Sequence, residues 1–360
     1  MEVVPQKRLM QLDFLRGVAI LLVLGNHWVS TYDAGIFWPI AGVWKRIGWV
    51  GVDLFFVLSG FCIHLPVAAK RQRPHWGAYT VRRALRIYPA YFFTLLFCFL
   101  VGAIFLKQTS GFQEPTEIAS YASSSVMLQN WLSGGRQISL NPSLWSVPIE
   151  VEFYIVYPLL YILWSRFGAG AVFLITMLCT GIGFLLFFMG LGDLNVFFKY
   201  ALIWNSGAWL AEVYAKGAMP PWSRWTGIAL VATFLFSFLA GFGGVNNFYL
   251  QYSWAFFSLL LLMWLLGPGA NVFSTENLWV RFLVFIGTIS YSLYLLHFPL
   301  FKLWGSIWFQ IYGSKPESFL FPTLATLFVI PFAWLFYCSV ESPSHQLGRR
   351  WGAALQSRKV

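Results

Sequence analysis

Residues 12–30 read LDFLRGVAILLVLGNHWVS, an apolar run with an arginine, Arg16, near one end and a histidine, His27, near the other. A helix needs about 20 mostly apolar residues to cross a hydrocarbon core of ~30 Å, and this run has that length. Lys7 and Arg8 stand ahead of it, as they would ahead of a secretory signal. Against that reading, Arg16 interrupts the apolar stretch, and Gly25, Asn26, His27 and Trp28 offer no small-x-small cleavage pattern. The segment reads as a retained membrane helix with two ionisable groups. Such groups are costly in lipid and usually face a bundle interior or a wet cavity.

The rest of the chain repeats the pattern. Of 360 residues 58% are hydrophobic, 20% aromatic and only 10% charged, and the mean hydropathy is +0.66. That is the composition of an integral membrane protein, and no stretch is long and polar enough to hold a soluble core of its own. Mostly apolar windows centre on residues 12–31, 49–69, 87–106, 143–164, 169–190, 196–215, 225–242, 252–267, 280–304 and 319–339. Each should be a helix, because lipid-exposed backbone must satisfy its own hydrogen bonds. The expected fold is all-α, a polytopic membrane bundle of about ten transmembrane helices. One domain spans residues 1–345, and a short basic cytoplasmic tail spans 346–360. Cys62, Cys98, Cys179 and Cys338 sit in apolar runs without CxxC spacing, which reads as reduced, buried packing. No metal is expected.

Orientation follows from the basic residues. With the N-terminus inside, the cytoplasmic segments hold sixteen lysines and arginines, among them Lys70, Arg82, Arg83, Arg86, Lys216, Arg349 and Arg350; the opposite face holds five, Lys45, Arg46, Lys107, Arg136 and Lys315. That bias places both termini in the cytoplasm of a multi-pass protein of the inner (plasma) membrane. The net charge of +11 is then topology and attraction to anionic head groups, and no nucleic-acid partner is needed to explain it.

Spacing next sorts the polar residues. Arg16 and His27 are eleven residues apart, and eleven steps of about 100° return to within roughly 20° of the starting direction, so they share one face about 16 Å apart. Asp13 falls near the same stripe. In GWVGVDLFFVLSGFCIHLP, Asp53 and His64 are again eleven apart. Arg83 and Arg86 lie at the inner mouth of the third span. In NPSLWSVPIEVEFYIVYPLLY, Glu150, Tyr154, Tyr157 and Tyr161 follow i, i+4, i+7 and i+11, while Glu152 points elsewhere, about 200° round from Glu150. The chain therefore offers an inner basic mouth of Arg16, Arg83 and Arg86. It also offers an outer-half zone of His27, Asp53 and Glu150. A cationic mouth joined to a histidine and carboxylates suggests an anionic carrier bound inside and chemistry further out.

Six stretches resemble, in order, the successive motifs of the acyltransferase 3 family of membrane O-acyltransferases: LDFLRGVAILLVLGNHW, GWVGVDLFFVLSGFCI, RRALRIYPAYF, NPSLWSVPIEVEFYIVYPLL, FIGTISYSLYLLHFPL and SVESP. The resemblance implies transfer of an acyl group, usually acetyl from acetyl-CoA, to a hydroxyl of a saccharide or glycolipid acceptor. It carries the family's essential arginine and histidine onto Arg16 and His27, its RxxR pair onto Arg83 and Arg86, and its acidic residue after SLWS onto Glu150. Many members have a second Glu where this chain has Val151. The SGNH esterase-like domain of longer members is not expected here, since the chain ends soon after the last span.

On this reading Arg16, Arg83 and Arg86 pair with the phosphates of acyl-CoA. His27 is the base, or carries a transient acyl group, and Glu150 or Asp53 orients its ring. Trp145, beside the mouth, contacts a sugar face. The structural rivals are plain: an arginine or histidine can simply bond neighbouring helices, Asp53 can cap or pair, and packing accounts for His64 and His297. Two other functions remain beside O-acetyl transfer. One is O-succinyl transfer within the same family; the other is transport or flipping of a lipid-linked sugar, which often leaves an internal repeat that this sequence lacks.

Overall fold

The computed structural model describes residues 9–31, 38–70, 73–103, 118–132, 137–138, 140–191, 196–273, 276–314, 316 and 320–357, and among these all regular structure is helical. In chain order the helices are α1 (Met10–Thr31), α2 (Trp38–Ile47), α3 (Val50–Lys70), α4 (Trp76–Val101), α5 (Ile118–Ser125), α6 (Ser146–Phe188), α7 (Val196–Ala215), α8 (Arg224–Phe242), α9 (Asn247–Leu266), α10 (Leu278–Thr288), α11 (Ser290–Tyr312), α12 (Leu320–Phe336) and α13 (Ser342–Ser357). A 3-10 turn, Pro142–Trp145, leads into α6, and a π-helical turn, Tyr337–Glu341, joins α12 to α13. Among the described residues, every apolar window falls on a helix. Local signals start several of them: Asn246 and Asn277 accept from the backbone N–H of Phe248 and Trp279, and Ser223 with Thr226 forms a capping box at α8.

Among the described residues, six helical stretches are long and apolar enough to cross a membrane, and a seventh is counted if α10 and α11 are one bent span. Two expected windows, 143–164 and 169–190, are the halves of α6, divided at Gly168, whose φ of 80° and ψ of 176° only glycine adopts without strain. The window 280–304, expected as one span, is instead bent by 76° between α10 and α11. The cause lies on both sides of the bend. The end of α10 is pressed on α1, where a Cβ on Gly287 would stand 1.7 Å from the Asp13 carbonyl oxygen. The N–H of Ser292, in the first turn of α11, finds its acceptor in Glu341 at 3.2 Å. Residues 346–357, read as tail, continue α13, which packs along α4.

Burial orders the bundle. α1, α3 and α7 are interior helices, with Leu15, Ala19, Ile20, Val57, Phe61, Trp204 and Leu210 almost wholly enclosed. α3 and α7 approach through Gly60 and Gly207: a Cβ at either would stand 1.9 Å from the carbonyl oxygen of Trp204 or Val57 respectively. Small residues let helices in lipid meet at this distance and gain packing that apolar surroundings do not otherwise supply. The periphery is the reverse. α8 buries only Ser237 and turns Leu235, Phe236 and Leu239 outward, the face that a hydrocarbon solvent requires.

Candidate active site

A cavity opens between α1, α3, α4, α6 and α11. It holds about 720 Å³ of empty space, its open mouth included, and its polar lining is Arg16, Ser59, Arg86, Ser146, Glu150, Ser290, Tyr291 and Tyr294. Arg16 is fixed within it: Nη1 donates to Asp13 Oδ1 at 2.9 Å, and Nη2 donates to Cys62 Sγ at 3.1 Å. The i, i+3 spacing of Asp13 and Arg16 on α1 makes the ion pair local. Glu150 lies within electrostatic reach of Arg16. It accepts from Ser59 Oγ at 3.2 Å and from the Tyr154 hydroxyl one turn on. Glu152 points away and accepts from Trp131 Nε1 at 2.6 Å, as the helical wheel requires.

The NPSLWS segment ties this cavity to α11. Asn141 Nδ2 donates to the Leu295 carbonyl at 2.8 Å, and Ser146 Oγ and the Tyr294 hydroxyl are 2.6 Å apart. The same 3-10 turn that launches α6 and Glu150 therefore grips the turn of α11 that carries His297.

His297 is the ring that meets His27. Its Nε2 lies 2.7 Å from His27 Nδ1, and the rings stack with centroids 4.9 Å apart. Phe298 packs edge-on against His27 with centroids 5.0 Å apart. The proton positions follow from the backbone. His297 Nδ1 faces the Tyr294 carbonyl at 2.7 Å and the Leu293 carbonyl at 3.1 Å, and carbonyl oxygens only accept. In the neutral ring Nδ1 therefore carries the hydrogen, and Nε2 is the acceptor. His27 Nδ1 must then donate to it, which leaves Nε2 of His27 as the basic nitrogen. His297 is wholly buried and His27 half-buried, and Tyr294, whose carbonyl holds His297, also lines the cavity.

The other expected residues distribute themselves around this centre. Arg86 lines the cavity with Arg16, whereas Arg83 lies in the adjoining groove between α4 and α6, its guanidinium 5.8 Å from the Tyr79 ring and 5.7 Å from the Tyr154 ring. Asp53 is wholly buried in the first turn of α3, and its titratable neighbours are Lys199 and Tyr200 of α7. Trp145 stacks near the same Tyr200, with centroids 5.9 Å apart. Asp53 and Trp145 thus form one group with α7, and Arg16, Arg86 and Glu150 form another in the cavity, to which the His27–His297 pair is joined through Tyr294. His64 belongs to neither: it bonds Tyr157 at 3.0 Å and Glu212 at 2.8 Å. Among the described residues no cluster of three or more His, Cys, Asp or Glu is placed to hold a metal ion.

Sequence reasoning passed over three members of the site. His297 sits in the LLHFP stretch, and an ionisable residue in an apolar span is a functional candidate by default. Glu341, in SVESP, accepts from Ser292 Oγ at 2.5 Å and lies within electrostatic reach of Arg86 and Arg16. It lies in the π-helical turn, a local widening that is frequent at functional sites. Cys62, read as filler, receives a hydrogen bond from Arg16. None of the four cysteines is in a disulfide, and Cys338 is exposed rather than buried.

Comparison with known proteins falls on the same chemistry. The family model described as Acyltransferase domain matches residues 10–338. The putative peptidoglycan O-acetyltransferase YrhL of Bacillus subtilis is 29% identical over 188 residues, covering 48% of this chain and 27% of that protein. The O-acetyltransferase OatA of Staphylococcus aureus is 23% identical over 378 aligned positions, covering 97% of this chain and 59% of that protein. The peptidoglycan O-acetyltransferase OatA of Listeria monocytogenes is 26% identical over 176 residues, covering 45% of this chain and 26% of that protein. The chain therefore spans less than two thirds of the length of each of these relatives. No solved structure matches it.

Proposed function

Since the chain belongs to the membrane acyltransferase family whose domain model spans residues 10–338, we propose that it moves an acetyl group from cytoplasmic acetyl-CoA to a saccharide hydroxyl on the outer side of the plasma membrane. Relatives named peptidoglycan O-acetyltransferases make a peptidoglycan saccharide the acceptor to try first. The observation that carries the reading is the His27–His297 pair, which is tied through Tyr294 to the cavity that holds Arg16, Arg86 and Glu150.

The chemistry runs as follows. A sugar hydroxyl is almost fully protonated at neutral pH and needs a base to attack a thioester. His27 Nε2 takes the hydroxyl proton as the oxygen bonds to the thioester carbonyl carbon. The carbon–sulfur bond then breaks and the thiolate of CoA leaves, and the imidazolium returns its proton to that sulfur. The products are the ester and CoA–SH, with no net proton. His297 accepts from His27 Nδ1 throughout and so holds the ring in the reactive tautomer. Arg16 and Arg86 give the anionic donor a cationic lining, and Glu150, held by Ser59 and Tyr154, keeps the charge of Arg16 local. Asp53, Lys199 and Trp145 form the outer group that receives the acceptor.

The reading has about ten crossings and both termini in the cytoplasm, so donor and acceptor meet from opposite faces. Purified protein in sealed vesicles of known orientation, given labelled acetyl-CoA on the cytoplasmic face, should label a peptidoglycan fragment confined to the other face. Transfer only when both substrates share one compartment overturns the two-sided arrangement. Equal labelling from succinyl-CoA would broaden the donor, and no labelling from any acyl-CoA removes the enzyme reading.

A further inference from the structure

Among the described residues, the face of α13 turned toward α4 is strongly basic, and of the cations gathered there only Arg86 has a part in the chemistry above. On a helical wheel His345, Gly348, Arg349 and Gly352 fall within about 100° of one another, whereas Arg350 falls roughly 140° from His345. Two glycines hold that face against α4. A Cβ on Gly348 would stand 3.1 Å from Leu85 Cβ; on Gly352 it would stand 2.9 Å from both Cγ and Nη1 of Arg82 and 3.2 Å from the Ala78 carbonyl. The Arg82 side chain thus lies directly across α13.

The contact brings like charges together. His345 lies within electrostatic reach of Arg83, Arg86 and Arg349 at once, and Arg82 within reach of Arg83. Arg83 Nε is buried without a hydrogen-bond partner. Glu341 lies within reach of Arg86 but is already committed to Ser292. Cations packed this closely repel unless an anion sits among them, and the arginine fork suits phosphate oxygens. Arg86 connects the group to the cavity, while Leu347 and Trp351 are exposed on the opposite side of α13, as on a helix lying at a bilayer surface.

We propose that α4 and α13 form a phosphate clamp, in which Arg82, Arg86, His345 and Arg349 hold a phosphate ester at the inner end of the cavity. That chemistry is shared by the phosphates of CoA and by the head group of an anionic lipid. The inference rests on the acyl-CoA reading for the first of these sources only.

The test uses the full-length protein in two settings. In phosphatidylcholine nanodiscs, CoA binding is measured by calorimetry; after purification from phosphatidylglycerol-containing membranes, retained lipid is counted by native mass spectrometry. Arg349→Gln should weaken one of the two roughly tenfold, as expected on losing a charge-assisted contact. Arg349→Lys should restore part of it, and Arg350→Gln, on the other face, should change neither. A fall in CoA affinity assigns the clamp to CoA, and a fall in retained phosphatidylglycerol assigns it to lipid. Equal behaviour of Arg349→Gln and Arg350→Gln in both measurements overturns it. Hydrogen exchange on the unaltered protein needs no variant: CoA or phosphatidylglycerol should slow amide exchange across residues 342–357, and no slowing by either overturns the clamp. Slowing in a protein that transfers no acyl group would leave the clamp standing and remove the enzyme reading alone.

Discussion

His27→Ala should lower acetyl transfer about 10²–10⁴-fold, the range that a positioned general base contributes, while the protein still inserts and elutes as a single species. The ring is half-buried and packs against the rings of His297 and Phe298. The partner gives a graded companion result. His297→Leu removes the acceptor that fixes the tautomer and should fall between His27→Ala and the unaltered protein. His297→Gln offers an amide oxygen to His27 Nδ1 and should recover part of that loss. Single-turnover acetylation with saturating donor measures all three. If His27→Ala keeps most of its turnover, the base is another group; if Leu and Gln at position 297 behave alike, His297 serves packing rather than the tautomer.

Gly60→Leu should prevent stable accumulation altogether. Its Cβ would stand 1.9 Å from the Trp204 carbonyl oxygen and 2.9 Å from the carbonyl carbon, both backbone atoms that no rotamer change can move. The reciprocal approach of Gly207 to the Val57 carbonyl means that α3 and α7 must separate along their whole crossing. Overpacking within a core costs about 1–3 kcal/mol and occasionally more, and a clash with main chain belongs at the upper end of that range. Gly170→Ala is the control: nothing lies within 4 Å of its Cβ position, and alanine is favoured over glycine in a helix by about 1 kcal/mol. Fluorescence-detected size exclusion with a thermal ramp should show Gly60→Leu aggregated or absent and Gly170→Ala at or above the original midpoint. A monodisperse Gly60→Leu protein with an unchanged midpoint would contradict the described crossing.

The helices were readable because each apolar run had to become one. What the runs concealed were their interruptions. The bend at Ile289 lies inside a continuous apolar stretch, and it accompanies contacts far apart in the chain: Gly287 meets Asp13, and Glu341, 49 positions on, receives Ser292 at the start of α11. The same distance hid the His27–His297 pair, which joins residues 270 positions apart. Spacing did place Arg16 and Glu150 on interior faces and turned Glu152 away from Glu150. It could not divide Arg83 from Arg86: residues three apart are neighbours on a helix, and here the boundary between cavity and groove runs between them. Residues 346–357 read as tail because their charges dominate, while the two glycines that let them lie on α4 carry no hydropathy signal.

The outward face of α8 offers a practical handle. Only Ser237 of this helix is enclosed, bonded to Ser253 of α9 at 2.8 Å, so Leu235, Phe236 and Leu239 touch no part of the reactive centre. Exchanging these three among aliphatic and aromatic residues should be silent in every assay above. A cysteine introduced there, in a background with the exposed Cys338 removed, would carry a spin label or dye in the acyl-chain layer. Such a probe would report depth and thickness matching in the surrounding lipid without perturbing the residues that bind or transfer.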